Sequence, residues 1–309
     1  MYIQTVGLVG MGSIGSFFAP RLYETLRGNF TLIADPVRKQ RLMTQDIVIN
    51  SVSYHFPVLE SSEGRFLDLI LIAVKYRDFA AVLEEIAPFV GPQTQILCLM
   101  NGISTEQELA KRYGWDHVLY SVMRVSIEMK NNTVVYDPES GFVLFGEAKN
   151  EGICSERVLA VKELFDACSI PCHIPRDMLQ AMWFKFACNV GENMTCAMLG
   201  IPFGAFRVSK EADMLRELAV AEVIKIAAAK GITISEEKMR RQSEVIAKLP
   251  FSNRPSTAQD LANGRKTEVE LFAGQVVRLG EELGIDTPVC RMFLMAIHVL
   301  EQKNSGLFQ

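Results

Sequence analysis

The sequence predicts an α/β protein: a doubly wound, mainly parallel sheet over residues 1–175, followed by an all-helical domain over residues 176–309. Three observations lead there. Short apolar runs alternate with amphipathic ones in the first half, a glycine loop directly follows the first run, and beyond Pro175 the chain reads as helix after helix.

Taken in order, "IQTVGLV" is a short apolar strand, "FTLIAD" a second, "LDLILIAV" another and "TQILCLM" a further one. Amphipathic stretches such as "FAAVLEEIAPFV" separate them, as a parallel sheet covered by helices requires. From about Val118 the pattern changes. "VLYSVMRVSIEM", "NTVVYD" and "GFVLFG" read as successive strands that extend the sheet or form a meander, and the helix "SERVLAVKELFDAC" with the strand "CHI" closes the domain. Gly and Pro then mark the helix breaks at "GIPFG", "KGI", "KLPFSNRP" and "LGIDTP".

The first strand runs straight into "GMGSIG", residues Gly10, Met11, Gly12, Ser13, Ile14 and Gly15. Placed between a strand and the helix-compatible "SFFAPRLYETL", this G-x-G-x-x-G is the Rossmann dinucleotide fingerprint. Gly10 permits a tight turn, Gly12 lets a pyrophosphate approach the backbone, and Gly15 allows close helix packing, while the helix N-terminus offers unpaired N–H groups to the phosphates. Asp35 ends the second strand twenty residues after Gly15. An acid there accepts from the adenosine ribose hydroxyls and tips the choice toward NAD, although Arg38, Lys39 and Arg41 stand near enough to meet a 2′-phosphate and Asp35 also suits a plain turn before Pro36. Lys75 and Asn101 follow two further strands, at the carboxyl ends where open parallel sheets bind ligands.

Composition narrows the class. A 309-residue chain with 49% hydrophobic and 22% charged residues is that of a globular protein large enough for two cores. A net charge of −4 without a Lys/Arg stripe excludes nucleic acid as an expected partner. Apolar runs such as "LILIAV" fall far short of the roughly 20 residues of a membrane helix, and no signal-like segment precedes the glycine loop, so the expected location is cytoplasmic and off the membrane. Seven cysteines and four histidines, scattered without ligand spacing, predict buried reduced thiols and no metal site.

In "KFACNVGEN" Lys185, Asn189 and Asn193 recur every four residues. On an α-helix each such step advances about 40° past a full turn, giving one slowly winding polar stripe. Its flanks "LQAMWF" and "MTCAMLGI" are apolar, so the stripe faces a packed interior, and buried amides and an ammonium need partners. Interhelical backbone groups or a ligand would both serve, and Lys185 could also snorkel to solvent.

The glycine loop, "AVK" ending in Lys75, "MNGI" with Asn101, "KFACNVGEN" and "SNRPSTAQDLANGRKTEVE" together resemble the ketopantoate reductase (2-dehydropantoate 2-reductase) family in order and spacing, over nearly the whole chain. The resemblance implies a Rossmann domain joined to a helical one, and reduction of the ketone of 2-dehydropantoate to pantoate by a nicotinamide cofactor, NAD(H) or NADP(H). It also implies roles: Lys185 as general acid, Glu268 as the active-site acid, Asn189, Asn193, Asn253 and Ser256 as substrate contacts, and Lys75 and Asn101 beside the nicotinamide. Two departures stand out. Phe203 occupies a position where the family often has Asn, which alters contacts to the substrate hydroxyl, and Asp35 stands where members using NADPH usually have Arg.

The chemistry fits these residue types. Hydride arriving at a ketone carbon places negative charge on oxygen, and an ammonium supplies both the proton and the electrostatic stabilisation. Ser256 with Gln259 also reads as an S-x-x-Q capping box, and Glu268 could pair with Lys266. The expected partner is thus a small 2-oxo acid, ketopantoate or another of its class; the helical domain's composition is compatible with a homodimer, and a non-catalytic dinucleotide sensor is the reading of a different class.

Overall fold

In a computed structural model, which describes residues 2–125, 127–130, 133–138 and 141–308, the chain divides into two compact units, Met1–Ala181 and Met182–Gln309. The first is built on strands β1 (Val6–Val9), β2 (Phe30–Ile33), β3 (Ile47–Ile49), β4 (Val52–Tyr54), β5 (Val58–Leu59), β6 (Leu67–Ile72), β7 (Val90–Cys98), β8 (Val118–Arg124), β9 (Glu128–Lys130), β10 (Thr133–Val135), β11 (Phe142–Gly146) and β12 (Cys172–His173). Eight of them form one sheet in the order β12-β11-β8-β7-β6-β1-β2-β5. From β8 to β5 every neighbouring pair is parallel, and β11 joins antiparallel to β8.

Helices α1 (Ser13–Leu26), α2 (Pro36–Thr44), α3 (Tyr76–Glu85), α4 (Thr105–Tyr113) and α5 (Glu156–Ala167) complete this unit. The sheet is buried on both faces, and the alternation of its side chains sorts them between two cores. Leu69, Leu71, Leu97 and Leu99 join Phe17, Phe18 and Leu22 of α1 and Val161 and Phe165 of α5. Ile70, Ile72, Ile96 and Cys98 join Phe79 and Val82 of α3 and Leu109 of α4. That is the doubly wound arrangement expected from the sequence.

Pro20 lies inside α1 and cannot donate to the Ser16 carbonyl one turn back. The Tyr136 hydroxyl approaches that carbonyl at 3.5 Å instead, and also accepts from Arg21 at 2.8 Å. Tyr136 follows β10, which lies between β3 and β9 in a separate four-stranded sheet of order β4-β3-β10-β9. The stretch read as one strand from Val118 divides between β8 in the main sheet and β9 in this smaller one, with Ser126 outside the described residues.

The second unit is helical among its described residues. One continuous helix runs from α6 (Met178–Cys188) through a π-helical turn, Asn189–Asn193, into α7 (Met194–Leu199), which Gly200 ends in the left-handed conformation. Then follow α8 (Lys210–Ala229), α9 (Glu236–Lys248), α10 (Ser256–Ala262), a second π-helical turn at Glu270–Gly274 that opens α11 (Gln275–Leu283), and α12 (Pro288–Asn304). Gly191 lets α8 approach the first π turn, since a Cβ there would stand 2.5 Å from Val220 and 3.0 Å from the Arg216 carbonyl oxygen. Glu222 of α8 accepts the Val289 and Cys290 N–H groups at 2.8 and 2.9 Å and so caps α12. All seven cysteines are free thiols.

Candidate active site

In the sheet unit the parallel ladder brings four predicted positions to one edge. Val9 pairs with both Ile33 and Ile72, and Ile72 with Cys98, so β2, β1, β6 and β7 end level with one another. Asp35, Gly10, Lys75 and Asn101 follow those ends within three residues. The strand order reverses its direction of growth between β1 and β6, where such sheets open a crevice for ligands. Tyr76, beside Lys75, donates to Glu108 of α4 at 3.1 Å and ties the Lys75 segment to the helix that follows Asn101.

The three glycines of the loop meet three different environments. Gly10 has φ +95°, and a Cβ on it would lie 2.4 Å from the Ala73 carbonyl oxygen. A Cβ on Gly15 would lie 2.0 Å from the Gly10 carbonyl oxygen. A Cβ on Gly12 would meet nothing within 4 Å beyond its own turn among the described residues. Gly12 is the N-cap of α1 and has no side chain to offer, whereas Asp35, Ser155, Ser209 and Ser235 cap their helices with side-chain oxygens. With no side-chain oxygen capping them, the first-turn N–H groups of α1 and the helix dipole behind them suit a bound pyrophosphate.

Asp35 does serve the turn: its Oδ1 accepts the Arg38 N–H at 2.9 Å. Beyond it opens a pocket of about 400 Å³ in which Arg38, Arg41 and Arg77 face Asp35, Asp78 and Glu85. Glu85 Oε1 is buried without a hydrogen-bond partner among the described residues. Burial, helped by the charge of Asp35 and opposed by Arg38, pushes the Glu85 carboxyl above its usual range. An orphan acceptor beside three planar cations fits an adenine, whose amino group donates and whose ring stacks on guanidinium. Arg77 and Glu85, one helix away from the glycine loop, escaped the sequence reading.

Glu106, second residue of α4, is 2% exposed and accepts from the Thr105 hydroxyl at 3.1 Å. Burial pushes its carboxyl up to about 7, against hydrogen bonds from its own backbone, Thr105 and the Ser121 backbone that favour the charge. Burial, and then the Glu106 charge, push the neighbouring Cys98 thiol up to about 12, so this cysteine is no nucleophile.

In the helical unit the polar stripe is real but differs in shape from the expectation. Met182, Trp183, Phe186, Ala187 and Cys188 are buried around a half-buried Lys185, while Asn189 is half-buried and Asn193 is 8% exposed. The π turn holds one residue more than an α turn, so the eight steps from Lys185 to Asn193 rotate as about seven. Asn193 then lies about 20° from the Lys185 direction instead of about 80°. The expected winding stripe is straightened. Glu192, inside the same turn and 6% exposed, accepts from Gln242 Nε2 of α9 at 3.1 Å, a contact the sequence reading missed.

The π turn packs against α10, which begins at Ser256, and against the second π turn, which begins two residues after Glu268. Asn253 and Ser256 are exposed, and Glu268 is half-buried. The Phe203 N–H donates to the Asn253 carbonyl at 2.8 Å, which places the departing residue beside a predicted substrate contact. The S-x-x-Q pattern does not form a capping box. Pro255 is the N-cap of α10, and Gln259 turns its Nε2 to the Arg254 carbonyl at 2.8 Å. Lys266 reaches Glu301 of α12 at 3.0 Å.

Residues 6–150 match the family model described as ketopantoate reductase PanE/ApbA, and residues 177–301 match that of the ketopantoate reductase PanE/ApbA C-terminal domain. A 2-dehydropantoate 2-reductase of Halobacterium salinarum is 30% identical over 227 residues, covering 72% of this chain and 73% of that one. One from Streptococcus pyogenes serotype M3 is 24% identical over 306 residues, covering 96% and 97%. Among solved structures, D-mandelate dehydrogenase with NADH and anilino(oxo)acetate superposes with a TM-score of 0.84 at 23% identity, over 97% of this chain and 99% of that one. The dimeric ketopantoate reductase from Staphylococcus aureus gives 0.82 at 19% identity, over 97% and 99%.

Proposed function

The chain belongs to the ketopantoate reductase family and is an NAD(P)-dependent oxidoreductase, and from that premise we propose that it reduces 2-dehydropantoate to pantoate with Lys185 as general acid. The observation that carries the reading is the straightened stripe, which turns one ammonium and two amides, Lys185, Asn189 and Asn193, to one side of a buried helix. The dinucleotide supplies the hydride. As it reaches the ketone carbon, the Lys185 ammonium neutralises the developing oxyanion and donates the proton. Asn189 and Asn193 hold the substrate's polar groups, Asn253 and Ser256 add contacts, and Glu268 acts as the acid of the site.

Gly10, Met11, Gly12, Ser13, Ile14 and Gly15 would hold the pyrophosphate, with Lys75 and Asn101 toward the nicotinamide. Asp35 sets the preference for NADH, because the adenosine pocket sets three carboxylates against its three guanidiniums and gives a 2′-phosphate no net attraction. A second reading rests on Phe203: an apolar residue in place of the family's frequent Asn, its backbone N–H bonded to the Asn253 carbonyl, suits a 2-oxo acid with a bulky apolar substituent. Steady-state rates with NADH and NADPH against ketopantoate and a panel of aliphatic and aromatic 2-oxo acids test all of this. The highest kcat/KM is expected for ketopantoate with NADH. An aromatic 2-oxo acid ahead of ketopantoate would establish the second reading, and no turnover with any of them would leave a dinucleotide sensor. A higher kcat/KM with NADPH would show that the arginines outweigh Asp35.

A further inference from the structure

Glu268 stands in the connection between α10 and the second π turn, where a short polar loop would ordinarily be mobile. This one is tied down from the far end of the unit. Glu301 of α12, 9% exposed, accepts the Thr267 N–H at 2.8 Å and the Thr267 hydroxyl at 2.7 Å on one oxygen, and the Lys266 ammonium at 3.0 Å on the other. The Thr267 hydroxyl oxygen in turn accepts the Val269 N–H at 3.2 Å. The residues on both sides of Glu268 are thereby fixed, and its own carbonyl accepts the Leu271 and Phe272 N–H groups at 3.0 and 3.3 Å. Farther out, Asn304 donates to the Leu261 carbonyl at 2.7 Å and Arg265 to Asp260 at 2.8 Å.

Every group Glu301 meets here is a donor, so both of its oxygens must accept. Burial alone would raise its carboxyl, but the bonds from Thr267 and Lys266 hold it below the usual range, and it stays a carboxylate at neutral pH. A glutamine could satisfy Thr267 with its oxygen only by turning its NH₂ toward the ammonium.

We propose that Glu301 is a positioning residue for the reaction, holding the Lys266–Thr267 turn so that Glu268 keeps a single orientation toward the substrate. This rests on the reading of Glu268 as the active-site acid. A misplacement of about 1 Å costs about 10²-fold in rate, so a clamp acting through Glu268 affects kcat, leaves dinucleotide binding alone, and has nothing left to affect once Glu268 is disabled.

The test is a double-mutant cycle on the full chain with Glu268→Gln, Glu301→Ala and the pair, read by kcat, KM for the 2-oxo acid and dinucleotide Kd, with Glu301→Gln alongside. Glu301→Ala is expected to lower kcat about tenfold or more with Kd unchanged, Glu301→Gln to recover part of the loss, and the pair to lose no more than about twofold beyond Glu268→Gln alone. If Glu301→Ala does not fold, Thr267→Val, which removes the hydroxyl's bonds to Glu301 and to the Val269 N–H, takes its place in the cycle. Losses that multiply in the pair, or a lowered kcat in Glu268→Gln with none in Glu301→Ala, overturn the clamp alone. An unchanged kcat in Glu268→Gln overturns the reading of Glu268 and the clamp with it.

Discussion

Gly12→Ala separates the two jobs a glycine loop can have, holding a fold together and making room for a ligand. A Cβ at Gly12 meets no atom within 4 Å beyond its own turn among the described residues, and its φ of −88° suits any residue. Two small effects on folding oppose each other. Alanine restricts the unfolded chain, a gain of about 0.4–1 kcal/mol, and it is a poorer N-cap than glycine, a loss of roughly the same size. The net is near zero, so Tm should stay within about 2 °C of the parent. The dinucleotide meets a methyl group where its pyrophosphate has to approach the backbone, and its Kd should rise at least about tenfold, or about 1.4 kcal/mol. Gly15→Ala is the contrast, because its Cβ would stand 2.0 Å from the Gly10 carbonyl oxygen. Overpacking of that kind costs about 1–3 kcal/mol and lowers Tm whether or not a ligand is present. Fluorescence titration with NADH, paired with thermal melts of the three proteins, reads both quantities. A Gly12→Ala protein that binds NADH as tightly as the parent, or that melts as early as Gly15→Ala, would refute the reasoning.

Lys185→Ala is expected to leave dinucleotide Kd within about twofold and to lower kcat by about 10² to 10⁴; a single-turnover loss below about threefold would remove the lysine from proton transfer. Glu106 makes a prediction about pH. Its folded carboxyl titrates near 7 against an ordinary 4.5, so between those values the native state holds the proton that the unfolded chain gives up, and stability falls as pH rises through that window and is level above it. The loss is on the order of 3 kcal/mol. Glu106→Gln should abolish it and melt higher than the parent at pH 8, as thermal melts from pH 4.5 to 8 would show; parallel curves for the two proteins would contradict the assignment.

Legibility in the sequence followed locality. The strand, glycine loop and helix from Val6 to Leu26 are consecutive, so periodicity and three glycines suffice to find them. The strand ends before Lys75 and Asn101 were legible for a similar reason, each closing an apolar run. The hairpin of β3 and β4 was missed although "VINSVSY" carries a turn signal, because its strands are three residues long and partly exposed. The π turn had no compositional mark beyond Gly191. Whether a helix takes an extra residue depends on what packs against it, here α8, α10 and the second π turn. Glu301 and Thr267 lie thirty-four residues apart and Gln242 and Glu192 fifty apart, and no local pattern announces such pairs. The capping box failed because Pro255, with its fixed φ, took the cap position that Ser256 would have filled.

The wide turn at Asn189–Asn193 couples chain length to chemistry in the helix that holds Lys185. Its extra residue is absorbed without net rotation, so taking one residue out would restore the regular ladder and leave the downstream side chains on the Lys185 side, whereas closing the turn with every residue kept would aim them elsewhere by about 100°. What such a helix cannot absorb is a substitution that tightens the turn while the count stays the same.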